Sequence, residues 1–471
     1  MTIQSNLDII NWAHKHFAKA TLGDQRRVRR VINIAQHLAH SPGKSIPQLF
    51  DNNYAIKASY ELFKHEKSTP DNLQSGHRNM VYQELKKPGT YLLIEDTSEL
   101  SWTGNMPIKG LGPIGSNAKK AQGFFLHTVL AVRWTNSNLL QKRSPVEVIG
   151  LADQQYKIRP KKGKKIRRRK DGCAGESDVW EKTIERLPSL SPEKTVRLVR
   201  VCDRGADIYE VLIENLENNY GFVIRASHDR NIESEQPTTL FKYARSLFEK
   251  GSFFLDLRSR PDQPRRTAIL SISFGQVELK SPQRPGYKRG ALKPVKCSVI
   301  RIWEKDPSEE IKEPIEWILL CDQIIETLEE AMICAKQYTC RWLIEDFHKA
   351  LKTGLGAEKL QLEDVTRLFA AISIMSIVAL RLIEIRESLR LDPSIPAQNS
   401  GLSPLELKIL SLRLKRDLKT VKDVGLAIGR LGGHMNRKGD GMPGLLSLWR
   451  GMQRLMELMD GVKLAADLNI M

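Results

Sequence analysis

Three carboxylates stand out by where they fall in the chain. Asp96 closes the apolar run YLLIED, Asp203 closes VRLVRVCD, and Glu345 lies inside the helical stretch YTCRWLIEDFHKALK. A carboxylate that ends an apolar strand is presented to the crevice at the edge of an α/β sheet. Either aspartate alone also reads as a turn former or a helix cap. In the helical stretch Tyr338, Arg341, Glu345, Lys349 and Lys352 recur at three- and four-residue steps and share one face, while Ile344, Phe347 and Leu351 share another. The apolar face can pack on a sheet while the other brings a carboxylate, cations and a phenol into the crevice. The same pattern fits an exposed helix with a Glu345–Lys349 ion pair. Two strand-end aspartates and one helical glutamate form an oxygen-donor set suited to Mg²⁺ or Mn²⁺, which keep water and phosphate as their remaining ligands. Two such ions in one site serve phosphoryl transfer, one activating water or a 3′-hydroxyl and the other stabilising the leaving oxygen. Tyr338, Arg341, Lys349 and Lys352 would then hold the flanking phosphates.

The elements that must position these groups are legible as hydrophobic periodicity. Strands are expected at 91–96, 124–132, 146–152, 196–203 and 221–225, with helical stretches before and between the last two. Three meandering strands followed by strand–helix–strand predict a mixed α/β sheet. From about 226 to 316 the chain turns to Pro, Ser and short alternating runs such as AILSISFGQVELK, which reads as an inserted β subdomain. One long helix is expected from about Leu328 to Lys352. At the N-terminus Asp24 can cap a helix that buries Val28, Val31, Ala35 and Leu38 and carries Arg26, Arg27, Arg29 and Arg30 in its first turns. That helix suits DNA docking, and equally a solvated basic helix in a small bundle. A second helix with Ala55, Ala58, Leu62 and Phe63 on its apolar side completes an all-helical region over 1–70. Beyond Pro393 the chain becomes Leu-, Lys- and Arg-rich with helical spacing, so 71–385 reads as the α/β core and 386–471 as a helical tail suited to self-association.

Lys and Arg number 74 against 55 Asp and Glu, a net charge of +19, and a surplus of that size points to a polyanion, nucleic acid first. The longest apolar stretch, Leu368 to Leu380, is too short for the ~20 residues of a membrane span and reads as a buried helix. No secretory signal opens the sequence, so a cytoplasmic protein without a membrane partner is expected. Six cysteines occur without any C-x-x-C pair and read as reduced packing residues. The basic run Lys161–Lys170 suggests non-specific phosphate attraction that weakens with salt. Two patterns are decoys. Gly110-Leu-Gly-Pro-Ile-Gly115 matches G-x-G-x-x-G but follows no strand, and Pro113 would open the required helix. Glu345-x-x-His348 is half a di-iron motif with no second half, which leaves His348 structural or DNA-facing.

With these residues in view, the chain resembles the bacterial insertion-sequence cut-and-paste transposases, which carry an Asp-Asp-Glu triad on a ribonuclease-H-like fold. Tyr338, Arg341, Glu345 and Lys352 reproduce the Tyr-x2-Arg-x3-Glu-x6-Lys signature, while IEDT at Asp96 and VCDRGAD at Asp203 are similar to the two aspartate boxes. LGDQRRVRRVINIAQHLAH is similar to the transposon-end-binding helix and RLGGHMNRKGDG to the C-terminal dimerisation region. The resemblance implies that Asp96, Asp203 and Glu345 are the catalytic residues and hold two Mg²⁺ or Mn²⁺ ions. It implies DNA contacts at Arg26, Arg27, Arg30, Arg225, Tyr338, Arg341, Lys349 and Lys352. Trp317, in EWILL, is similar to a Trp that stacks on a flipped base in the hairpin-forming branch, and is equally readable as a core Trp. The implied reaction is hydrolytic nicking, hairpin formation on the transposon end, reopening, and joining of the 3′-hydroxyl to target DNA by a homodimer bound to double-stranded DNA. The competing readings are an inactive, domesticated DNA-binding protein and a stand-alone metal-dependent nuclease.

Overall fold

The computed structural model describes residues 9–103, 108–115, 121–135, 146–160, 178–188, 195–236, 238–257, 266–282, 292–307, 311, 313–437 and 440–468. The basic run 161–170, Cys173 and part of the insertion lie outside the described residues.

Among the described residues five helices come first: α1 (Ile9–Phe17), α2 (Gln25–His40), the single turn α3 (Ile46–Leu49), α4 (Asn53–Lys64) and α5 (Pro70–Leu85). Asp24 caps α2 as expected, accepting a hydrogen bond from Arg26 N at 2.7 Å, a contact worth about 1 kcal/mol. Val28, Val31, Ala35 and Leu38 are buried, as are Ala55, Leu62 and Phe63 on α4.

A mixed sheet of twelve strands follows, flanked by these helices and by a helical C-terminal region. Its first half consists of β1 (Gly89–Trp102), the short β2 (Gly112–Pro113), β3 (Gln122–Trp134), β4 (Glu147–Lys157), α6 (Asp178–Arg186), β5 (Val196–Cys202), α7 (Tyr209–Glu217) and β6 (Gly221–Arg225). β1, β3 and β4 form an antiparallel meander; β5 pairs parallel with β1, and β6 parallel with β5. The spatial order is therefore β4-β3-β1-β5-β6, the arrangement expected when a meander is followed by strand–helix–strand. Gly112 and Pro113 form a strand rather than a helix start, in keeping with the reading of that glycine pattern as a loop.

The insertion contributes β7 (Asn231–Ile232), β8 (Thr238–Thr239), α8 (Leu240–Ser246), β9 (Gly251–Leu257), β10 (Arg266–Leu279) and β11 (Val295–Glu304) before β12 (Glu316–Cys321). Instead of standing apart, these strands lengthen the same sheet: β12 pairs antiparallel with β6, with Leu319 opposite Arg225, and β11 and β10 continue outward. β6 has a free edge after β5, and main-chain donors and acceptors left there are costly unless another strand takes them.

The expected single helix from Leu328 to Lys352 is interrupted. α9 (Leu328–Thr339) stops at a tight turn over Cys340–Arg341, α10 (Trp342–Lys349) follows it, and Ala350–Gly354 is a π-helical turn. The face drawn from Tyr338 to Lys352 is therefore three short surfaces. α11 (Val365–Leu391) follows, and then α12 (Pro404–Leu414), α13 (Val421–Leu431) and α14 (Leu445–Asp467). α11 is the one helix among the described residues long and apolar enough to cross a membrane, and 89% of its apolar window is buried inside the fold. Each Leu or Ile so buried contributes roughly 1.5–3 kcal/mol. The main core runs from Trp12 through the sheet to Ile383, while Ile385 and Leu389, one turn further along α11, belong to the core of the C-terminal helices. The five described cysteines are free and buried, as the sequence suggested.

Candidate active site

The parallel ladder between β1 and β5 ends with Glu95 opposite Cys202. One residue further on, Asp96 and Asp203 therefore stand side by side just past the end of this ladder. The sequence places Asp96 at the end of its strand, but β1 continues to Trp102, because its antiparallel partner β3 keeps supplying hydrogen bonds as far as Gln122. Asp96 stands at the end of the parallel ladder and in the middle of the antiparallel one.

Each aspartate is fixed through one oxygen. Asp96 Oδ1 accepts from Thr97 N at 2.8 Å and Asp203 Oδ1 from Gly205 N at 2.8 Å, Asp203 capping the short turn Arg204–Ala206. Gly205 has a reason to be glycine: a Cβ there would lie 3.0 Å from Asp203 Oδ1 and 3.2 Å from the Trp180 ring. Burial first, and then the charge of Asp203, push the Asp96 carboxyl up to about 7, against the pull of Arg341. Carboxylates crowded in this way repel one another when ionised, and a cation relieves that.

Glu345 faces them from the first turn of α10, with Ile344 and Phe347 buried beneath it as expected. Arg341, in the break before α10, places NH2 2.5 Å from Glu345 Oε1 and NH1 4.0 Å from Asp96 Oδ2. Among the described residues no three His, Cys, Asp or Glu side chains close on one metal-sized point; between Asp96 and Glu345 stands this guanidinium.

The other expected contacts fall around this centre in different ways. Tyr338 is buried, and burial raises its phenol above the usual range. Arg225 donates to Glu316 O at 2.9 Å and lies against the Tyr338 hydroxyl. Lys349 is exposed. Lys352, carried round by the π turn, donates to Glu99 O at 2.7 Å and stands 3.6 Å from Glu358, whose carboxylate accepts from Ser101 N at 2.8 Å. A π turn adds a residue to the helical circuit and so redirects the side chains after it. Trp317 is 7% exposed and packs edge-on against Tyr338 and Trp342. His348 is buried beside Thr128, and burial lowers its imidazole to about 3, which makes it structural.

In the N-terminal helices Arg26 is 89% exposed, while Arg27 turns back to donate to Leu22 O at 2.7 Å. Arg30 lies over the exposed Tyr54 ring at 5.6 Å, and Arg26, Arg29, Arg30, His14 and Tyr54 line one open groove.

Sequence reasoning missed the support beneath the carboxylates. Glu95 and Arg200 are both fully buried and form a two-pronged ion pair at 2.6 and 2.7 Å; Arg200 also donates to Asn215 Oδ1 and Trp180 O. Burial alone would raise the Glu95 carboxyl, but the Arg200 guanidinium outweighs it and holds it below the usual range. The pair ties β1 to β5 on the face opposite Asp96, with Glu95 one residue before Asp96 and Arg200 three residues before Asp203. A charged Arg within VRLVRVC, and a Glu preceding Asp96, were the available signal. Asp207 was missed as well: it accepts from Ser227 N at 2.6 Å, from His228 N at 2.9 Å and from Arg230, pinning the loop after Asp203 to the loop after Arg225.

Residues 9–68 match the family model described as transposase DNA-binding. This N-terminal match supports a transposase and supports DNA as its partner.

Proposed function

We propose that the chain is a metal-dependent cut-and-paste DNA transposase on a ribonuclease-H-like core, with Asp96, Asp203 and Glu345 as its catalytic carboxylates. The observation that carries the reading is that Asp96 and Asp203 stand side by side one residue beyond the end of the parallel β1–β5 ladder, faced by Glu345, in a chain whose N-terminal helices match a transposase DNA-binding family. The strand order β4-β3-β1-β5-β6 supports the fold assignment.

The donor set fits a hard divalent cation: all three groups are carboxylates, and the chain already brings a cation of its own, Arg341, to two of them. When bound, Mg²⁺ or Mn²⁺ supplies activation of the attacking oxygen and neutralisation of charge on the phosphate. Asp96 and Asp203 are each held through one oxygen, by the Thr97 and Gly205 amides, which leaves the second oxygen of each to a cation. Lys349 and Lys352 offer cations to the phosphates on either side of the scissile bond, and Arg26 and Arg30 engage the backbone of the end sequence. Hydrolytic nicking, hairpin formation and joining of the 3′-hydroxyl by a homodimer belong to this same proposal.

Cleavage of a labelled duplex carrying the element's own terminal sequence tests it, with Mg²⁺ or Mn²⁺, comparing the natural chain with Glu345→Gln. Metal-dependent nicking followed by a hairpin product, both lost in the variant, is expected. Tight end-specific binding without cutting under either metal would overturn the catalytic reading and leave a DNA-binding relic of a transposase.

A further inference from the structure

Arg341 does not occupy the position of a simple phosphate contact. Its side chain is only 15% exposed and its guanidinium spans the gap between two candidate ligands on different elements, Glu345 on α10 and Asp96 on β1. Its backbone is fixed by the break in the helix: Arg341 N donates to Tyr338 O at 3.0 Å, and Ile344 N donates to Arg341 O at 3.2 Å. The guanidinium has bonding capacity to spare. Nε is buried without a hydrogen-bond partner, the Tyr338 ring lies 6.0 Å away, and its carboxylate partner Glu345 is 52% exposed. A guanidinium and a divalent ion compete for the same carboxylate oxygens, and both cannot have them.

We propose that Arg341 is an internal counter-cation that keeps Glu345 from divalent metal until a phosphate group draws its guanidinium away. The proposal rests on the metal-site reading above and adds regulation to it. Guanidinium pairs with phosphate through the same two-pronged geometry it uses for carboxylate. A backbone phosphate arriving at α10 thus exchanges one anion for another at Arg341 and releases Glu345 to complete the donor set. Linkage makes the effect reciprocal: DNA favours metal, and metal favours DNA. In the free chain, Glu345 is kept paired without a metal ion and away from unselected phosphodiesters.

The test is Mn²⁺ binding to the full chain without DNA, read from the electron paramagnetic resonance of free Mn²⁺, with circular dichroism to confirm folding. A half-exposed ion pair of this kind displaces a competing equilibrium by on the order of fivefold, so Arg341→Gln is expected to bind Mn²⁺ about fivefold more tightly than the natural chain. Arg341→Lys, which keeps the charge but cannot span both carboxylates, is expected between the two. Arg204→Gln removes a cation next to Asp203 without touching Glu345 and is expected to leave the affinity unchanged. Equal tightening by Arg204→Gln, or none in either Arg341 variant, would overturn the counter-cation. Mn²⁺ binding that is lost in Glu345→Gln but unmoved by the Arg341 variants would overturn this proposal and leave the metal site standing. No Mn²⁺ bound by any variant would overturn both.

Discussion

Asp96→Asn is expected to make the free protein more stable while abolishing its cutting. The folded environment raises this carboxyl from 3.8 to about 7 through burial and the neighbouring carboxylates, with Arg341 opposing. A rise of that size is worth about 4 kcal/mol of differential interaction between the two protonation states. With a fifth of the side chain exposed, screening by water and salt reduces this, and about 2 kcal/mol is the working expectation. The sign follows from linkage: a carboxyl whose folded pKa is raised favours folding while protonated and loses that advantage as pH rises through about 7. Above pH 7 the natural chain therefore carries an ionised, crowded Asp96 that the amide does not. Below 7 the difference shrinks toward zero at 3.8, because the folded carboxyl is already protonated. The assay is thermal unfolding of both chains without divalent metal across pH 5 to 8, and for a chain of this size the gap at pH 8 should be on the order of a few degrees. An amide variant no more stable than the natural chain at pH 8, or a gap that does not narrow on acidification, would refute the argument that the aspartates are crowded.

The His16–His77 pair, with Nδ1 atoms 2.7 Å apart, is held neutral by burial, His77 down to about 3; stability from this pair is present above 6.5 and should be lost as pH falls from 6.5 toward 3, a slope that His77→Gln flattens in pH-dependent melting. Arg200→Met should cost about 3–5 kcal/mol in denaturant unfolding by leaving Glu95 charged and unpaired, and adding Glu95→Leu should recover much of it; a double variant no better than the single would refute the pairing argument. Arg26→Ala should lower the salt slope of duplex binding by about 1, whereas Arg27→Ala should cost about 1 kcal/mol of stability through its lost bond to Leu22 O and leave that slope nearly unchanged.

Strand positions were readable from the chain because they depend on local pattern, and so was the placing of Asp96, Asp203 and Glu345 near one another. The apolar run ending in Asp203 marked its own terminus, and 221–225 and 196–202 came out within a residue of their bounds. The meander and the following strand–helix–strand were readable for the same reason. What local pattern cannot hold is partnership at a distance. β1 outruns Asp96 only because β3, some thirty residues later, keeps pairing with it. Nothing in YTCRWLIEDFHKALK announces that the helix breaks at Arg341, since Cys340 and Arg341 are ordinary helix residues; neither Gly nor Pro marks the break. Trp317 reads as an aromatic in a short strand, and only the presence of Tyr338 and Trp342 around it shows that it is enclosed. Arg27 was grouped with its neighbours by charge, although its place on the helix turns it toward the Leu22 carbonyl.

The core that runs unbroken from Trp12 to Ile383 turns the protein into a caliper. Trp12 on α1 lies under the Arg381 guanidinium at 5.4 Å, and Gln74 on α5 reaches both Gln154 on β4 and the Ser373 carbonyl on α11, while the arginine-bearing α2 shares their core through Val28, Val31, Ala35 and Leu38. The span from that helix to the carboxylates is then a property of the protein, and a duplex that touches both must adopt it, bending or twisting where its own rise does not match. If the proposed transposase reading holds, base pairs inserted between the bound sequence and the cleaved phosphate would move the cut along the DNA in step with the insertion, the fold setting the length of the end sequence.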